Sequence, residues 1–71
     1  MREIDFKIEG EYIELIKLLK ATHVTINGAE AKQFVDSGIV LRNGEVESRK
    51  RAKITAGEKI VIEGTATITT K

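Results

Sequence analysis

Hydrophobic and polar positions change their spacing several times along this chain, and each change marks an element. From Glu3 to Glu9 they alternate, with Ile4, Phe6 and Ile8 on one face and Glu3, Asp5, Lys7 and Glu9 on the other. A period of two with a charged outer face predicts a half-buried strand. Gly10 interrupts the alternation and is placed to cap a helix, with Glu11 suited to the positive end of the helix dipole. Tyr12, Leu15, Ile16 and Leu19 then recur at helical spacing. A helix is predicted through about Lys20, those four facing inward and Ile13 and Leu18 widening the stripe. The β-branched residues Thr22, Val24, Thr25 and Ile26 make Ala21 to Ile26 a connection.

Asn27 opens a second predicted helix as its N-cap, and Glu30 completes an approximate capping box. Ala31, Phe34 and Val35 supply its inward stripe, and Gly38 stands where a left-handed residue would end it. Two readings of Gly28 stand side by side: free N–H groups at the helix start that could receive an anion, or a small residue allowing close backbone approach. Ile39 to Arg42 is predicted as a strand and Asn43-Gly44 as a type I′ hairpin turn. Glu45 to Ser48 is then the returning strand, with Val46 inward. Arg49-Lys50-Arg51-Ala52-Lys53 follows, as strand or as loop. Thr55 to Glu58 forms a turn, Lys59 to Glu63 a strand with Ile60 and Ile62 on one face, and Thr65 to Thr70 a β-prone last edge strand.

Helices early and strands elsewhere define an α+β class: a small single domain over residues 1–71, with an N-terminal strand, two short helices, an antiparallel hairpin and C-terminal strands. A chain of 71 residues buries only roughly 60% of its unfolded surface, so the core is small. Cysteine is absent and His23 is the single histidine, so neither disulfides nor a zinc cluster is expected. His23 is expected on the surface. Apolar runs fall short of the ~20 residues that span a bilayer, and the first ten residues lack the long apolar stretch of a secretory signal. A cytoplasmic protein without membrane association is expected.

The net charge is only +1, and the pI of about 8.0 falls below the roughly 9 typical of nucleic-acid-binding domains. The distribution changes that picture. Residues 1–31 hold four basic groups against six acidic ones, whereas residues 32–53 hold six (Lys32, Arg42, Arg49, Lys50, Arg51, Lys53) against three. The four cations between Arg49 and Lys53 repel one another unless an anion binds. Catalytic signals are missing: no nucleophile stands beside a base, no phosphate loop is present, and Glu45 and Glu47 look like solvent-face residues. A non-enzyme without cofactor or metal is expected.

From Asn27 to Ile62 these features resemble an RNA-binding domain of the S-four type, the αL motif named after a small-subunit ribosomal protein. The likeness rests on Ala31-Lys32 in the second helix, Gly38 and Val40, the Asn43-Gly44 turn, Gly57-Glu58, and Ile60 and Ile62. It is closest to small stand-alone bacterial members, which share the Asn27-to-Lys32 pattern and the Arg49-to-Lys53 run. The resembling core motif spans about 11–62. Two positions depart from the pattern: Asn27-Gly28 stand where many members carry Arg, and Arg42 stands where a strand residue is usually apolar. Either Arg42 adds to the basic face, or the strand is twisted there and Leu41 points inward.

The resemblance implies binding to structured RNA, ribosomal or transfer RNA in particular, and association with the ribosome. Phosphate neutralisation by Lys32, Arg42, Arg49, Lys50, Arg51 and Lys53 gives a compatible mechanism, with Asn27 and Gly28 as further candidate contacts. Without an exposed aromatic cluster, stacking on single strands is not expected. The alternative is an adaptor whose basic face docks an acidic protein partner. S-four type domains often accompany RNA-modifying catalytic domains, for which this chain has no room.

Overall fold

The computed structural model describes residues 2–71. Strand β1 covers Arg2–Phe6, β2 Ile13–Glu14, β3 Val40–Arg42, β4 Glu45–Val46, β5 Lys53–Ile54, β6 Lys59–Ile62 and β7 Ala66–Thr70. Helix α1 covers Leu15–Ala21 and α2 Gly28–Asp36. The main sheet has the order β1-β7-β6-β3-β4, and β2 pairs with β5 in a separate two-stranded ribbon. Among the described residues, only the β1–β7 pair is parallel.

Strand alternation decides which face of the sheet meets the helices. Val40, Ile60, Ile62 and Ile68 are fully buried and join Leu15, Leu18 and Leu19 of α1 and Ala31 and Val35 of α2 in one core. The registers Val40↔Ile62 and Ile60↔Ile68 stack these residues across the sheet. Phe34 packs half-buried against this core, on the stripe its spacing predicts. Second-helix capping matches its sequence: the Glu30 N–H donates to Asn27 Oδ1 at 2.9 Å. The reciprocal arm reaches one residue further than expected, with the Ile26 N–H donating to Glu30 Oε1 at 3.1 Å. Asn43 and Gly44 have φ of +52° and +90°, the two positive values a type I′ turn needs.

Three expectations are corrected and one open alternative is decided. The first helix begins at Leu15, not near Glu11; Gly10 has φ +84° and is no cap, and Ile13–Glu14 is a strand. Tyr12 therefore lies outside the helical stripe and is 43% exposed. Val46 is exposed rather than inward, because Leu41↔Val46 pairing puts it opposite the outward residue next to buried Val40. β7 is interior rather than an edge, since β1 pairs along its free side. The Arg49-to-Lys53 run is a loop with a turn at Lys50-Arg51, and only Lys53 enters a strand.

Candidate nucleic-acid interface

The basic loop is held by its own backbone. Helix α1 has no side-chain cap. Instead, the Leu15 N–H donates to the Ala52 carbonyl at 2.9 Å and the Ile16 N–H to the Lys50 carbonyl at 3.1 Å. These are two of the N–H groups that every helix start leaves without an intrahelical partner. Their satisfaction by residues far along the chain fixes the loop against α1. Ala52 is buried and anchors the middle of the run, while Arg49, Arg51 and Lys53 remain exposed on either side.

A second clamp is ionic. Arg42 shares the face of Val40 by strand parity, yet it lies beyond the apolar core. There its Nε and Nη2 donate to the two oxygens of Glu58, the latter at 3.0 Å. Its Nη1 donates to Glu47 at 3.3 Å, and Nη2 also reaches the Lys53 carbonyl at 2.8 Å. Glu58 accepts further hydrogen bonds from the Asn43 amide at 3.1 Å, the Thr55 N–H at 2.7 Å and the Thr55 hydroxyl at 3.0 Å. The Arg42 guanidinium, aided by Thr55, holds the Glu58 carboxyl down at about 2. The Arg49 guanidinium and N–H, with Arg42, do the same for Glu47, also at about 2. Arg42 is pushed up in turn, chiefly by Glu58.

This geometry decides one open alternative and corrects one expectation. Leu41 does not point into the core; Arg42 does turn inward, and it is the internal counter-ion of Glu58 and Glu47 rather than a free cation. Glu47 is buried rather than on the solvent face, because its carboxylate sits between Arg42 and Arg49. No hydrophobic periodicity carries these partnerships; the only hint in the sequence is the density of cations around the two glutamates.

The other cations converge. One shallow groove is lined by Arg42, Arg49, Arg51, Ala52 and Lys53. A second is lined by Glu14, Ile16, Lys17, Lys32, Lys50 and Arg51. Arg51 belongs to both, so helix α2 contributes Lys32 to the same surface as the loop. Arg51 Nε donates to Glu14 at 3.0 Å, and Lys50 Nζ pairs with Asp36 at 3.1 Å. Both cations are exposed, although Glu14 is half-buried; pairs with an exposed cation hold weakly and are screened by salt, so a polyanion can exchange for the carboxylates. The Arg51 contact keeps the Glu14 carboxyl below its ordinary value. Lys17 joins this surface without having been predicted to. Asn27 and Gly28 line neither groove. A Cβ added at Gly28 would meet nothing within 4 Å, which removes the close-approach explanation for that glycine.

Two helices against a mixed sheet, with a cationic loop seated on the first helix, define an S4 domain. Residues 6–70 match the S4 domain, and the chain belongs to that family. It is 42% identical over 53 residues to YbcJ of Escherichia coli strain K12, covering 75% of this chain and 76% of that one. The solution structure of E. coli YbcJ, described as revealing an αL motif involved in RNA binding, superposes with a TM-score of 0.68. That match has 34% identity and covers 92% of this chain and 85% of YbcJ. An uncharacterised RNA pseudouridine synthase of Aquifex aeolicus strain VF5 is 30% identical over 59 residues, 83% of this chain but 19% of the synthase. The fold is the αL-motif S4 fold of YbcJ.

Proposed function

We propose that this protein binds structured RNA, ribosomal or transfer RNA in particular, by gripping its phosphate backbone. The whole chain acts as one binding unit without catalysis of its own. The observation that carries this is the convergence of Lys32 from α2 with Lys50 and Arg51 from the pinned loop, continued through Arg51 to Arg49 and Lys53. Fixed cations on one surface neutralise successive phosphates and release counterions. Family membership and the RNA-binding motif ascribed to YbcJ support the same ligand. Arg42 serves the site by fixing Glu47 and the Lys53 carbonyl rather than by meeting phosphate. Asn27 caps helix α2 and Gly28 is its first residue; neither contacts RNA.

Replacing Arg49, Lys50 and Arg51 together by Glu abolishes RNA retention in filter binding while circular dichroism shows a folded chain. With about four phosphates neutralised, log K falls against log salt with a slope of roughly −3 to −4. Unchanged retention or a flat salt response refutes the assignment. A partner captured by the tagged chain that survives nuclease digestion, and is lost in the triple variant, would favour an acidic protein ligand instead. Sequencing the nucleic acid that co-purifies without nuclease identifies the RNA.

A further inference from the structure

Tyr12 stands beside the cationic loop because the chain stays extended through Ile13–Glu14 before α1 begins. The residue is 43% exposed. Lys53 Nζ lies 5.1 Å from the ring centroid, within cation–π range. The ring borders a recess that also receives Glu14, Lys17 and Arg51, and Arg51 is the residue common to both cationic grooves. Tyr12 and Arg51 thus border one recess at the margin of the proposed phosphate-binding surface, with Lys53 set over one face of the ring. Bases stack on aromatic rings and on arginine planes alike, and every base has a π-face, so such a platform tolerates sequence. Inside a continuous duplex the bases are stacked on one another and cannot reach the ring. An unpaired base can.

We infer that Tyr12 is a stacking platform for one unpaired nucleobase, so the preferred ligand is an RNA helix interrupted by a bulge or ending in an overhang. This rests on the phosphate-gripping function proposed above: the cations hold the paired stem, and the ring selects where along it the protein sits.

The chain has one tyrosine and no tryptophan, so its intrinsic emission reports Tyr12 alone. Two labelled RNA stems, identical except for a single unpaired adenosine, are titrated by anisotropy against the wild-type chain, Tyr12→Phe and Tyr12→Leu. Unlabelled stems are titrated while tyrosine emission is followed, corrected for absorption by RNA. The wild type favours the bulged stem, and that stem quenches the emission more than the continuous one. Tyr12→Phe keeps the preference, whereas Tyr12→Leu loses roughly five- to hundredfold in affinity for the bulged stem and little for the continuous one. Equal binding of both stems by the wild type, or emission that ignores the bulge, overturns the platform and leaves the phosphate grip standing. A preference that persists in Tyr12→Leu does the same. Failure of the wild type to bind either stem refutes the grip itself.

Discussion

Glu58→Gln keeps the shape of the side chain and removes its charge, leaving Arg42 with Glu47 as its one remaining carboxylate. The cost follows from the site. Glu58 titrates at about 2 rather than 4.5; at about 1.4 kcal/mol per pH unit, that is roughly 3 kcal/mol of folding free energy. The side chains of Arg42 and Glu58 are only 23% and 11% exposed, so solvent screens the pair little. Breaking a buried pair by removing one partner costs about 3–5 kcal/mol, and the surviving contact to Glu47 trims that. A loss of roughly 2–4 kcal/mol is expected, a large share of the ~5–15 kcal/mol that holds a domain folded. The sign with pH is set by the depressed value: the contribution is complete above the unfolded-state value of 4.5 and is lost as pH falls through about 2. Urea unfolding followed by circular dichroism measures it. With a slope of about 1 kcal/mol per molar urea, the neutral-pH midpoint of the variant drops by about 2 M or more, and the gap narrows as acid protonates the wild-type carboxyl. Equal midpoints at neutral pH, or a gap that acid leaves untouched, would refute the role given to Glu58.

Glu47→Gln, which takes the charge from an acceptor of four hydrogen bonds from Arg42 and Arg49, lowers stability by about 1–3 kcal/mol. It also weakens RNA retention by releasing Arg49, a pair of readouts that denaturation and filter binding check separately. Asn27→Ala removes the cap bond to Glu30 and costs about 1 kcal/mol in thermal or urea unfolding, with RNA affinity unchanged. Gly28→Ala stabilises by about 0.4–1 kcal/mol, since the added methyl meets no neighbour and the backbone is helical; a lowered melting temperature would show that the position needs glycine.

The local signals were legible in the sequence and returned as structure. Asn27 with Glu30 started a helix, Gly38 ended it at φ +79°, Asn43-Gly44 turned a hairpin, and Ile60 and Ile62 faced inward. Each depends on neighbours within a turn or a pleat, so spacing alone determines it. The segregation of cations into residues 32–53 was equally plain, as was the family pattern.

Tertiary structure decided the start of α1, the interior position of β7 and the state of each cation. Helical spacing at Tyr12 was overridden by pairing of Ile13 and Glu14 with Ile54 and Lys53 and by carbonyls from Lys50 and Ala52 that cap the helix. The Thr-rich strand lost its free edge to β1, a partner from the far end of the chain. Arg42 and Glu58 are 16 residues apart, and Arg51 and Glu14 are 37 apart. Charge pairing acts through space and carries no period along the chain. Composition could therefore say that this segment is basic, but only the folded chain could separate the half-buried arginine that holds the scaffold from the exposed cations of the loop.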